Sequence, residues 1–262
     1  MPAGPGHAKN DRVSRSRILA PGAEVSLSRA EWQKLAPARD RVGEIITLSD
    51  GSGRAFRGRV KEMASDHVQV FIFEALAGPV ESRLELFLLQ ALPDKERMEL
   101  IIQKAAELGA DVIVPFHSRR SIRLEEREKR QRKAHRWPAV AFAAARQCRR
   151  ERVPVVAPVT DLAGAMAWAE GCQVKIAVWE KERTESLRRV LQPAKKPDSA
   201  ALLVGPEGGL EEMEIERLRS AGFVIASLGR RILRVETAAI AGLSLVQFAW
   251  GDLGETGEAD PD

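Results

Sequence analysis

The sequence predicts an α/β protein in two parts, a small β-barrel followed by a larger domain in which helices cover a parallel sheet. Three observations predict it. Residues 17–75 carry short runs of alternating apolar and polar side chains, the period of strands whose two faces differ. From about residue 80, apolar runs of strand length alternate with stretches of helical spacing, and such β-α alternation implies a parallel sheet. The chain of 262 residues is long enough for both parts, and its 44% hydrophobic and 30% charged residues are those of a soluble globular protein.

Taken in order, residues 1–16 read as a disordered tail and residues 17–77 as the barrel. Residues 44–49 (EIITLS) form its first clear strand, followed by the turn signal Asp50-Gly51-Ser52-Gly53. Residues 56–60 and 68–73 alternate as further strands, and Ala77-Gly78-Pro79 is a linker. The α/β domain spans residues 80–254, with residues 255–262 as a second tail. Its first strand is the apolar run 84–92. Met98, Ile101, Ile102, Ala105 and Leu108 then mark one face of a helix that Gly109 stops. Residues 112–115, 174–179 and 201–204 are buried strands. Pro138 starts or kinks a helix that follows the basic stretch 119–136.

Composition excludes several classes. No apolar run reaches the ~20 residues of a membrane helix, and the N-terminus lacks the apolar centre of a secretory signal, so a cytoplasmic location is expected. Cys148 and Cys172 are the only cysteines and His7, His67, His117 and His135 are scattered, so no metal site is expected. The net charge is only +4, yet residues 119–136 hold nine Lys and Arg against three Glu, and Arg146, Arg149, Arg150 and Arg152 follow. Such a run is either a solvated helix face or a surface that tracks phosphates.

The most informative stretch is LLVGPEGGLEE at residues 202–212. A buried strand ends at Val204 and Gly205-Pro206-Glu207-Gly208-Gly209 follows at once. A helix then opens with Glu211 and Glu212 at its positive end and closes at Gly222. In open α/β sheets ligands bind in such loops, at the carboxyl ends of strands. The Lys-Ser/Thr ending of a phosphate loop is missing, as is G-x-G-x-x-G, and the acids after the glycines repel a polyphosphate. Two readings stand for the loop alone: a site for a ligand without phosphate, or a tight turn without a ligand. Beyond it, a strand at 224–228 leads through GRRILRVET into the helix 238–249, apolar on nearly every side and therefore expected to be buried in a core or against another subunit.

GPEGG followed by SLGRRILRVETAA resembles the SPOUT superfamily of methyltransferases, and in particular the family that methylates N3 of a uridine in small-subunit ribosomal RNA. The likeness extends to MELIIQKAAELG at residues 98–109, to Gln147-Cys148-Arg149-Arg150-Glu151-Arg152-Val153-Pro154, and to Arg39 four residues before Gly43. It implies a trefoil-knotted α/β domain behind a PUA-like barrel that grips RNA. It implies S-adenosylmethionine as cofactor, ribosomal RNA or the small ribosomal subunit as partner, and a homodimer through the last helix.

The same resemblance assigns cofactor contacts to Leu203, Val204, Gly205, Glu207, Gly208, Gly209, Leu228, Gly229, Ile232, Leu233 and Thr237, the last of which is also suited to cap the final helix. Arg234 and Arg150 are catalytic candidates, because a guanidinium near the uracil oxygens favours the anion formed as the imide proton leaves. Glu236 is a third, as proton acceptor or partner of an arginine, against the plainer reading of a structural Arg234–Glu236 pair. Arg39, Lys104, Arg119, Arg120 and Gln147 are candidate RNA contacts. The chain departs from the family pattern at Asp94-Lys95, Pro37-Ala38, Arg146 and Arg149, where the family tends to have Lys-Gly, Val-Leu, Glu and Gly. These departures bear on RNA recognition, and leave open a non-catalytic RNA-binding or ribosome-assembly factor, or a methyltransferase of a different nucleotide.

Overall fold

The computed structural model describes residues 18–35, 41–52, 54–78, 80–93, 97–121, 136–192 and 195–255. The expected tails (apart from Glu255), Arg39, Pro37-Ala38, Asp94-Lys95 and most of the basic stretch 119–136 lie outside them. The chain divides into two units, Met1–Glu81 with Ala145–Val153 and Glu255–Asp262, and Ser82–Ala144 with Pro154–Gly254.

The N-terminal unit contains β1 (Glu24–Ser28), α1 (Arg29–Leu35), β2 (Ile45–Ser49), β3 (Ala55–Met63) and β4 (His67–Ala75). Of these, β2, β3 and β4 are the strands expected from sequence, whereas β1 and the helix α1 were not expected. The strands pair antiparallel in the order β1-β4-β3-β2. Alternation sends Val25, Leu27, Ile46, Leu48, Phe56, Val60, Val68, Val70 and Ile72 to one side, where they bury Trp32 of α1. Asp50 closes the β2–β3 turn by accepting from the Ser52 amide and hydroxyl and the Arg54 amide, at 2.9, 2.6 and 3.1 Å.

Residues 145–153, placed by a linear reading in the second domain, group with this unit. Long-range polar contacts hold them there. The Thr47 hydroxyl donates to the Arg149 carbonyl at 3.1 Å, Ser49 to Glu151 at 2.7 Å, and Arg146 forms an ion pair with the buried Glu44.

The second unit contains β5 (Glu85–Ala91), α2 (Arg97–Glu107), β6 (Val112–His117), the first part of α3 (Trp137–Gln147), β7 (Val155–Val156), β8 (Thr160–Asp161), α4 (Leu162–Trp168), β9 (Val174–Val178), α5 (Leu187–Val190), β10 (Ser199–Val204), α6 (Glu212–Ser220), β11 (Val224–Ala226) and α7 (Val235–Trp250). All strand pairings are parallel, in the order β11-β9-β10-β5-β6-β7, with β8 on β6. Pro138 sits in the first turn of α3, where the ring costs no hydrogen bond, so it starts that helix.

Period 2 divides the core. Leu86, Leu88, Ile176, Leu202 and Val204 face α2 and α7, whereas Phe87, Leu89, Ala201 and Leu203 pack with Leu162, Ile215 and Leu218 of α4 and α6. Each fully buried Leu contributes roughly 1.5–3 kcal/mol. Helix α7 buries Val235, Ala239, Gly242, Leu243, Val246, Gln247 and Trp250 along one side. Its other side keeps Leu245 and Phe248 at 44% and 70% exposure. Burial all round is thus not achieved within one chain, because α7 meets a neighbouring layer on one side only.

Candidate functional site

The glycine-rich loop begins where β10 ends. Residues 206–209 form a turn closed by the Gly209 amide on the Pro206 carbonyl at 2.9 Å, with Gly209 at φ +69°. A Cβ there would lie 2.5 Å from Oε1 of Glu180, so both angle and space call for glycine. The loop is braced by Arg120, whose guanidinium donates to the Gly208 carbonyl at 2.9 Å. Helix α6 starts on Glu211, whose amide donates to Glu214 at 2.8 Å. The other oxygen of Glu214 accepts from the Arg119 amide at 3.0 Å.

A second segment leaves β11. Ser227 is held by backbone bonds to Glu185 and Leu187, at 2.9 Å each, and the chain passes Gly229 into α7. Between the two segments lies a cavity of about 440 Å³, within the size range of small-molecule sites. It opens at the carboxyl ends of three adjacent strands, β11, β9 and β10, where open α/β sheets carry their ligands.

The loop after β9 forms a third wall. Trp179 donates its indole N–H to the Leu210 carbonyl at 3.3 Å, and Glu180 faces Gly209. Buried Glu182 holds this loop: one oxygen accepts from the Arg183, Thr184 and Glu185 amides and the Thr184 hydroxyl, the other from Arg219. The Thr184 hydroxyl and amide, outweighing burial, lower its carboxyl to about 2.

Charge in the cavity is mixed. Arg97 bridges Glu207 at 2.9 Å and Glu236 at 3.7 Å. Among the described residues Glu180, Arg231 and Arg234 make no side-chain ion pair, although all three line the cavity. Backbone edges, a free carboxylate and two free guanidiniums suit a polar ligand of mixed charge.

Of the residues singled out from sequence, Val204, Gly205, Glu207, Gly208, Gly209, Leu228, Gly229, Ile232, Leu233 and Arg234 line this cavity. Leu203 does not: strand alternation turns it into the opposite core layer. Thr237 does not either, and it is not the helix cap. Arg234 is the N-cap of α7 and Thr237 sits one turn inside. The Arg234–Glu236 pair is not formed among the described residues. Glu236 turns one buried oxygen, which accepts no hydrogen bond there, toward Arg97 instead.

Arg150 is a correction as well. It is absent from the cavity lining and its guanidinium is buried in the N-terminal unit against Glu81, at 2.8 Å. Glu81 also accepts the Glu151 and Arg152 amides, so the pair fastens a turn. Lys104 is paired with Glu107 at 2.7 Å, Arg119 and Arg120 lie against Glu211 of the glycine-rich loop, and Gln147 is exposed at the end of α3.

Arg97, Trp179, Glu180, Ser227 and Arg231 were among those missed. The apolar run 174–179 ending in Trp-Glu offered a signal, since it is another buried strand whose carboxyl end leads into a loop. Among the described residues, no group of three or more His, Cys, Asp or Glu is arranged to hold a metal, and no helix is long and apolar enough to cross a membrane.

A parallel α/β sheet with a glycine-lined cavity at its strand ends defines a nucleotide- or cofactor-using class of protein. Within that class, residues 80–247 match the RNA methyltransferase domain, and the chain belongs to that family. It is 33% identical over 211 residues to ribosomal RNA small subunit methyltransferase E of Mycobacterium tuberculosis, covering 79% of each chain. It is 29% identical to the protein of that name in Bacillus subtilis, over 79% of this chain and 82% of that one. Among solved structures, a methyltransferase of Legionella pneumophila in complex with S-adenosylmethionine superposes with a TM-score of 0.64 at 33% identity, covering 92% and 98% of the two chains. Ribosomal RNA small subunit methyltransferase E of Neisseria gonorrhoeae, bound to S-adenosyl methionine, gives 0.64 at 31% identity with the same coverage.

Proposed function

We propose that this chain uses S-adenosylmethionine to methylate N3 of one uridine in small-subunit ribosomal RNA, in the cytoplasm. The observation that carries the reading is the cavity enclosed by residues 205–210 and 227–235 at the ends of β9, β10 and β11. Two structures more than 30% identical to this chain hold that cofactor.

The residues present fit it. A methyl donor bearing an ammonium, a carboxylate and a sulfonium needs mixed charges and backbone edges, and it needs no phosphate clamp. The carboxylate of Glu180 is free to face a cation, and the turn at Gly209 leaves room beside it. When bound, the sulfonium supplies an electrophilic methyl group, so the protein's task is to prepare the nucleophile.

N3 of uracil is a poor nucleophile while it keeps its imide proton, and the base must leave its stack to reach a pocket. Arg234, exposed at the N-cap of α7 beside the cavity, is the guanidinium that favours the anionic base. Glu236 acts through Arg97, holding it against Glu207 and the glycine-rich loop. Domain boundaries near residue 80, a PUA-like barrel and a trefoil knot complete the proposal. A homodimer across the exposed side of α7 would cover Leu245 and Phe248.

Two measurements test it. Calorimetry of the purified protein is expected to detect S-adenosylmethionine binding, and no heat at millimolar cofactor overturns the enzyme reading. Mass-spectrometric mapping of ribosomal RNA from cells lacking the gene is expected to show one N3-methyluridine lost, whereas loss of another mark overturns the position. Cofactor-independent RNA binding with no turnover would identify an assembly factor instead.

A further inference from the structure

The sheet of the N-terminal unit turns one face to its own core and the other outward. On the outward face β3 presents Arg57, Arg59 and Lys61, and its neighbour β4 presents Phe71 and Phe73. The Arg59 guanidinium lies 5.8 Å from the centre of the Phe73 ring and the Lys61 ammonium 5.9 Å from that of Phe71. Phe73 is 37% exposed and Phe71 half-buried, although β4 is an inner strand of the sheet. Arg57 belongs to the fold, since it is paired with Glu74 at 2.9 Å. Arg59 and Lys61 make no ion pair among the described residues, so rings, not acids, are their neighbours.

A third cation adjoins them. Ile45 is the register partner of Arg59 and is itself 48% exposed, and it lines a small hollow together with Arg149. Arg149 is the one residue other than glycine at positive φ among the described residues, at +64°. Its backbone is held at the end of α3 by the Arg149 amide on the Arg146 carbonyl, the Arg150 amide on the Ala145 carbonyl and the Thr47 hydroxyl. The guanidinium makes no ion pair among the described residues. The backbone is pinned and the charge is presented outward.

We infer that this face binds single-stranded RNA, stacking unpaired bases on Phe71 and Phe73 and holding the backbone phosphates with Arg59, Lys61 and Arg149. Aromatic rings beside unpaired cations are what recognition of single strands requires, because every base offers a π face and every linkage an anion. Of the acids on this face, Glu74 is taken up by Arg57, Glu24 on the edge strand β1 is the register partner of Phe71, and Glu62 lies at the end of β3 opposite Gln69. A duplex, whose bases are hidden, gains nothing from the rings. The inference rests on the proposed function only in taking RNA as the substrate.

The test uses the full chain and fluorescence anisotropy with a short oligouridylate and an RNA duplex of equal length. Phe71→Leu/Phe73→Leu is expected to weaken the single strand by roughly tenfold or more and the duplex far less. Arg149→Gly is expected to raise the melting temperature, by removing backbone strain, while lowering the slope of affinity against salt by about one. If the double Phe variant fails to fold, Arg59→Gln/Lys61→Gln carries the test, with a lower slope and weaker single-strand binding expected. Unchanged single-strand affinity in a folded variant overturns the inference and points to a protein partner for this face. Calorimetry with S-adenosylmethionine separates the two readings. If wild type binds cofactor and RNA but the variants match it, this inference falls alone. If wild type binds neither, both fall.

Discussion

Two turns hold a residue at nearly the same left-handed angle and fill it differently: Gly209 at φ +69°, beside the cavity, and Arg149 at φ +64°, in the N-terminal unit. At Gly209 a side chain would meet Glu180 at 2.5 Å, so space and angle act together. At Arg149 only the angle is unfavourable, at a cost of about 1–2 kcal/mol, and the turn meets it with both hydrogen bonds of a Schellman ending. The comparison separates a turn shaped by what must fit beside it from one shaped by what it displays. A residue that breaks a local rule with open space around it points outward, to solvent or a partner.

The largest effect that sharpens this contrast belongs to the cavity side. Arg234→Ala is expected to lower turnover by a hundredfold or more, measured on ribosomal RNA lacking the mark, with RNA affinity little changed. Equal turnover would remove the chemistry from this turn's neighbourhood.

Next, Glu182→Gln is expected to destabilise the protein at neutral pH by about 1–3 kcal/mol, by weakening hydrogen bonds to a charged acceptor. The sign in acid follows from its depressed carboxyl. Held at about 2 against a usual 4.5, it contributes stability above pH 4.5 that is lost as pH falls toward 2. The variant's stability is therefore expected to vary less over that window, read from urea titrations on both sides of it.

Gly209→Ala is expected to cost about 1–2 kcal/mol from its angle. Because Glu180 can swing aside, the larger consequence is weaker cofactor binding, read by calorimetry. A variant with wild-type cofactor affinity would show that Glu180 does not face the ligand.

The smallest effect is the opposite in sign. Arg149→Gly is expected to stabilise the chain by about 1 kcal/mol, seen as a rise in melting temperature. No rise would mean that the side chain repays its strain within the protein, and the contrast between the turns would close.

The sequence by itself determined most of the strands and the helices α2, α3, α6 and α7, though not β1, α1, β7, β8, α4 or α5, together with the turn after Val204 and the segment after β11 that faces it. These are written in local periods and in glycine spacing, which depend on neighbours a few residues away. Only the tertiary structure decided that Arg97 of α2 and Glu180 after β9 join the same cavity, and that Glu236 faces Arg97 and not Arg234. It alone decided that Arg150 is consumed by Glu81, 69 residues away along the chain. The cause is physical: a charge has no strong local preference for its partner, and burial in a particular packing selects which carboxylate lies close enough to neutralise it.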